Sequence, residues 1–122
     1  MAETDLRVLL AKMEPVLQDE PYGIVLWQGA LPFRPFATVA EAEGLTVVAP
    51  LALTGGTEAW ARISLTVHSD LAAVGLTGAF ATALAAEGIS CNVIAGVHHD
   101  HIFVQWDRRV AAMAALRELS RA

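Results

Sequence analysis

One tetrapeptide, His98-His99-Asp100-His101, gathers three imidazoles and a carboxylate, donors that suit zinc, nickel or copper. On a strand His99 and His101 point to one face, although a tight turn breaks that parity. A metal site needs three or four ligands. His68 is the only other histidine, and no cysteine or further carboxylate stands at a diagnostic spacing. The expected role is a polar turn joining two strands, with Asp100 bonded to neighbouring backbone and neither metal nor other cofactor bound.

The second chemically suggestive stretch is His68-Ser69-Asp70-Leu71-Ala72-Ala73-Val74-Gly75-Leu76, where a strand passes into a helix. Free N–H groups at a helix start accept a carboxylate, and Asp70 is placed to hold an ammonium group. Gly75 lets a backbone approach without a Cβ in the way. The same residues also serve simpler ends. Ser69 and Asp70 are ordinary helix caps, and Gly75 suits turn geometry or helix–sheet packing.

Catalytic chemistry finds little support. Cys91 sits in an apolar strand pattern, where an inert core thiol is expected. His68 and Ser69 are adjacent and point to opposite faces of a strand, so they make no triad. Neither Gly55-Gly56 nor Gly75-x-x-Gly78 carries the lysine of a phosphate loop. The reading is a non-enzyme.

The elements that position these residues follow from periodicity. Leu6, Leu9, Leu10 and Met13 mark a first helix capped by Thr4 or Asp5, with Pro15 near its end. Tyr22 to Gln28 is a buried strand. Pro32 and Pro35 make residues 29–35 a loop, and residues 36–43 favour a short helical turn capped by Gly44. Residues 45–49 form a second strand, and Leu53-Thr54-Gly55-Gly56-Thr57 is the best linker. Ile63, Leu65 and Val67 then alternate with Ser64, Thr66 and His68, the signature of a half-buried strand. Leu76, Phe80, Ala83 and Leu84 give a helix closed by Glu87-Gly88. Cys91, Val93, Ala95 and Val97 share one face of the next strand, and Ile102, Val104 and Trp106 one face of the strand after it. These two pair as a hairpin across residues 98–101. Asp107 caps a last helix with Val110, Met113, Ala114 and Arg117 in register, and Leu116 and Leu119 beside them. Trp27 and Trp106 read as core, and Trp60 as lying near an interface.

Antiparallel strands with crossover helices imply an α+β sandwich with helices on one sheet face. Each half has about 60 residues, a size marginal alone, so the halves at 1–57 and 58–122 must share one sheet or helical layer.

Composition narrows the partners. Of 122 residues, 55% are hydrophobic and only 17% charged, against about 25% charged in ordinary chains. Some apolar surface is therefore expected to lie in a homodimer interface. The net charge of −5, with eight basic against thirteen acidic residues, argues against a nucleic-acid partner. An RNA-recognition sheet would also want basic residues beside Phe103, and none stands before Arg108. The acidic N-terminus and the single cysteine suit a cytoplasmic protein, and no apolar run is long enough to enter a membrane.

Asp70, Gly75, Leu76, Leu84, Gly88, Ile89 and Asn92 together resemble the ACT domain, a ferredoxin-like βαββαβ module that binds small ligands, commonly amino acids. Residues 41–48 (EAEGLTVV), 65–69 (LTVHS), 74–77 (VGLT) and 99–104 (HDHIFV) resemble a family of small bacterial proteins with two tandem ACT-like units. The resemblance covers most of residues 41–119 and makes the first unit the degenerate one. It implies a ligand site at the first strand–helix turn of the second unit. Carried onto this chain, the site residues are His68, Ser69, Asp70, Leu71, Val74, Gly75 and Leu76, with Asn92 facing them from the next strand. The function so implied is small-molecule binding or regulation, with amino acids as the ligand class; the alternative is a protein–protein interaction module without a metabolite.

Overall fold

A computed structural model describes residues 5–67 and 74–121. Helix α1 (Leu6–Ala11) starts at Asp5, whose carboxylate accepts from the N–H groups of Arg7 and Val8. The chain then runs through β1 (Pro15–Leu17), β2 (Tyr22–Trp27), β3 (Ala37–Glu41), β4 (Gly44–Pro50) and the single helical turn α2 (Leu51–Thr54). The second half comprises β5 (Trp60–Leu65), α3 (Leu76–Ala86), β6 (Asn92–Ala95) and β7 (Asp100–Gln105). A 3₁₀ turn (Trp106–Arg108) then leads into α4 (Arg109–Arg121).

The seven described strands form one antiparallel sheet in the order β3-β4-β2-β5-β7-β6, with β1 also pairing β5. The two halves thus share a sheet, as their small size requires. Within the second half, β5, β7 and β6 lie side by side, with α3 and α4 crossing over them. The fourth strand of this ferredoxin-like set is β1, from the N-terminal segment, with Pro15 opposite Leu65 and Leu17 opposite Ile63. In the first half β3, β4 and β2 repeat the strand order of β6, β7 and β5. A loop carrying Pro32 and Pro35 replaces the helix between β2 and β3, because proline removes the N–H groups a helix needs.

The helices lie on one face. Ile63, Leu65, Ile102 and Val104 from the strands meet Leu9 and Met13 near α1, Leu76, Phe80 and Leu84 of α3, and Ala112, Met113 and Leu116 of α4. Helix α2 covers Gly23 so closely that no Cβ would fit there beside Thr54. Helix α3 ends as its sequence foretells: Gly88 takes φ +71° and the Ile89 N–H bonds back to the Leu84 carbonyl at 3.0 Å. The opposite face carries a smaller cluster of Tyr22, Val48 and Phe103 with Phe36, Trp60 and Ile94.

Several local expectations are corrected. Residues 37–41 are a strand, not a helical turn, because the free edge of β4 offers a ladder from Ala37↔Val48 to Glu41↔Gly44. Pro15 begins a strand, since the edge of β5 is open to it. The hairpin loop is Gly96 to His99, closed by the Gly96 N–H on the His99 carbonyl at 2.9 Å, so Asp100 and His101 belong to β7. Cys91 precedes β6 and is half-buried; Val93 is exposed because, among the described residues, β6 is an edge strand paired only with β7, and Val97 is exposed in the hairpin loop. Trp27 is only half-buried, with its ring edge-on to Phe33 at 5.3 Å. Asp107 falls inside the 3₁₀ turn, ahead of α4. The buried stripe of α4 is Ala112, Met113 and Leu116, and Val110 is exposed, because that early turn rotates the helix relative to the simplest register.

Phe103 is fully buried at the centre of the helix-free cluster. Phe103→Ala is expected to cost about 3–5 kcal/mol in denaturant unfolding. Val110→Ala, on the exposed side of α4, is expected to stay within about 0.5 kcal/mol of the parent.

Candidate functional site

Strand β5 delivers the chain towards α3. Beyond Leu65, the Thr66 N–H and hydroxyl donate to the carbonyls of Met13 and Glu14 at 3.1 and 3.0 Å, which ties the strand end to the α1–β1 connection. Val67 is buried, and its carbonyl accepts from His99 Nδ1 at 3.2 Å. A carbonyl only accepts, so His99 carries a proton on Nδ1. The His98–His99 end of the β6–β7 hairpin therefore reaches the place where β5 leaves the sheet.

Of the expected site residues, His68, Ser69, Asp70 and Leu71 lie outside the described residues. Val74 is 82% exposed and Leu76 is buried in the core. Gly75 is the N-cap of α3, with φ +102°, and supplies no side chain to the first-turn N–H groups. Its open side is already filled: a Cβ would stand 3.0 Å from Leu6 Cδ2. Backbone conformation and packing on α1 thus account for this glycine. Asn92 is exposed and pairs in register with Phe103. The pleat puts both on the helix-free face, whereas α3 lies on the other, so Asn92 does not stand across from the α3 start on one face.

The histidines diverge. His99 turns to the β5 end, while His101 lies on the helix-free face with Nδ1 2.8 Å from the Ser64 hydroxyl. Among the described residues no three His, Cys, Asp or Glu side chains converge as metal ligands. Burial pushes the Cys91 thiol up, leaving it protonated and weakly nucleophilic at neutral pH.

His101 belongs to a cluster that sequence reasoning missed. The Arg62 guanidinium carbon sits 3.8 Å from the Phe36 ring centroid and 5.5 Å from that of Tyr22. Arg62 also donates to the Tyr22 hydroxyl at 2.9 Å, while its buried Nε has no partner among the described residues. Phe36 meets His101 edge-on at 5.0 Å, and Tyr22 meets Phe103 at 5.9 Å. The polar alternation of Arg62 and Ser64 along β5 was the available signal. The stretch read only as a half-buried strand, because the strand register alone places Arg62 opposite Phe103 and Ser64 opposite His101.

Models of the ACT domain match residues 1–53 and residues 56–118. The chain belongs to the ACT domain family. A Vibrio cholerae protein of unknown function, described as a possible transport protein, is 45% identical. The match covers 90% of this chain and 92% of that one, with a TM-score of 0.78. An Agrobacterium tumefaciens protein, 16% identical, shares the fold over 83% of this chain and 84% of its own, with a TM-score of 0.68. So does an allosteric aspartate kinase from Clostridium acetobutylicum, 11% identical, with a TM-score of 0.57; the match spans 94% of this chain but 28% of the kinase. No curated protein matches this chain.

Two outcomes are expected. Gly75→Ala forces a side chain into a left-handed backbone and against Leu6, and should lower stability by about 1–3 kcal/mol in denaturant unfolding. His101 is held below its ordinary value of 6.5 by burial first, then by the charges of Arg62 and His99. The unfolded chain therefore takes up this proton first as pH falls. The stability linked to neutral His101 is intact above about pH 6.5 and is lost as pH drops from there towards the folded-state value. Chemical denaturation across that range should show wild type losing more stability than His101→Gln. Asp100 has the opposite sign, since burial raises its carboxyl, partly offset by His99, so acidification relieves its cost.

Proposed function

We propose that this ACT protein is a regulatory small-molecule-binding module without catalytic activity, and that amino acids are its ligand class. The observation that carries this reading is the His99 imidazole donating to the Val67 carbonyl just past β5, together with Gly75, which gives the first turn of α3 no side-chain cap. A carboxylate at that helix start would meet N–H groups and the positive end of the helix dipole. The site comprises His68, Ser69, Asp70, Leu71, Val74, Gly75 and Leu76. Asn92 is reached from the sheet edge, or from the corresponding edge of a second copy.

The protein works in the cytoplasm as a homodimer, with its units dividing between Thr57 and Glu58. The open edge of β6 supports pairing, with Val93 36% and Val97 68% exposed beside it. Those valines also favour the second reading, a module whose edge docks a protein partner and binds no metabolite. The net charge of −5 disfavours nucleic acid, and among the described residues no helix is long and apolar enough to cross a membrane.

A thermal-shift screen of untagged protein against the twenty amino acids, common nucleotides and divalent metals tests the reading. A ligand at about 100 times its Kd adds about 2.7 kcal/mol and raises Tm by several degrees. A selective amino-acid shift is expected. A flat response across the panel overturns the reading in favour of the protein-docking module.

A further inference from the structure

At the entry of β5, roughly 20 Å along the strand from Leu65, a cleft of about 340 Å³ is lined by Glu58, Ala59, Trp60, Gln105, Trp106 and Asp107. The pairing of Trp60 with Gln105, and the Trp106 N–H bond to the Ala59 carbonyl at 3.0 Å, fix its floor. Its two indoles come from opposite faces of the sheet. Trp60 packs with the Tyr22–Phe103 cluster, and Trp106 packs against the helix-side core.

The lining holds two carboxylates and no cation. Glu58 and Asp107 are both exposed at the rim, and neither is paired with a cation among the described residues. Arg109 stands outside the lining. It stacks its guanidinium 3.9 Å from the Trp106 ring centroid and donates to the Trp106 carbonyl at 2.7 Å, so this indole already receives one cation on a face. Indole is the best aromatic partner for a cation, and most of all for a weakly hydrated one. Apolar walls disfavour a strongly hydrated metal ion or an anion, and the two rim carboxylates add the matching charge.

We propose that this cleft binds a small organic cation, an alkylammonium group whose carbon shell rests on Trp60 and whose charge is met by Glu58 and Asp107. The site is separate from the β5–α3 turn and independent of what binds there.

The test is a titration of the full chain with tetramethylammonium chloride, and separately with n-butylammonium chloride, at constant ionic strength, followed by tryptophan fluorescence. Sodium chloride and the neutral isostere 3,3-dimethylbutan-1-ol are the controls. At least one organic cation should give a saturable change, sodium none, and the neutral isostere should bind at least about tenfold more weakly. Which cation binds tighter separates a methylated from a primary ammonium. Glu58→Gln with Asp107→Asn, both rim positions, should keep the circular dichroism of the parent and weaken the cation by at least about tenfold. Trp27→Phe, which removes an indole outside the cleft, should leave binding unchanged. No saturable change, equal binding of the neutral isostere, or undiminished binding by the double variant would overturn the proposal. An amino-acid thermal shift that survives in the double variant belongs to the β5–α3 turn and leaves this test untouched.

Discussion

Arg62 is where the two units are joined, and its permanent charge constrains everything around it. Its carbonyl accepts the Gln18 N–H at 2.9 Å, holding the chain against β5 just before β1–β2 swings away to pair with β4. Only Tyr22↔Trp60 continues the ladder from β2 to β5, so the seam has little backbone pairing of its own. The side chain supplies what the ladder lacks, through Tyr22 and Phe36 of the first unit. A guanidinium cannot shed its proton when buried. Aromatic faces and one hydroxyl must therefore do the work of a counter-ion, and the neighbouring His101 imidazole is pressed towards its neutral form by burial first and by this charge second.

The prolines of the first unit follow the same logic. Had a helix joined β2 to β3, it would have crossed the helical side of the sheet and left the other side bare over Arg62. The loop instead delivers Phe36 to the seam, where its N–H bonds the Val48 carbonyl at 2.8 Å and its ring closes over the cation. The loop that stands in place of a helix is thus a packing solution. Its consequence is a structural asymmetry among the described residues: a proline-bearing loop follows β2, whereas the 11-residue helix α3 follows β5 in chain order.

What the sequence made legible was what neighbouring residues decide. The alternation of Ile63, Leu65 and Val67 placed β5, and Leu76, Phe80 and Leu84 with Gly88 placed α3 and its end, because each signal is complete within one element. Residues 36–43 and Pro15–Leu17 failed for the converse reason. Short and ambiguous in themselves, they are strands because distant edges, those of β4 and β5, were open to them. Cys91 and Val93 looked like core because an apolar alternation cannot say whether its strand is central or at an edge. The histidine tetrapeptide looked like one chemical unit, but a loop of Gly96 to His99 sends His99 to the β5 end and leaves His101 in the sheet. The Arg62 cluster was the least legible, being assembled from β2, the loop, β5 and β7 by register alone.

The two ends of β5 differ in chemistry. Past its exit the His99 imidazole donates to the Val67 carbonyl. At its entry the strand meets two rim carboxylates and two indoles. A strand buried on one face by the main core, with Ala61, Ile63 and Leu65 fully inaccessible, is a stiff spacer between them. The glycine at the exit weighs less than its position first implies, since φ +102° and the contact with Leu6 already require it. The case for a ligand at the exit therefore rests on the helix start and His99. Those groups are arranged by β5 and the β6–β7 hairpin, which the seam at Arg62 ties to the rest of the sheet.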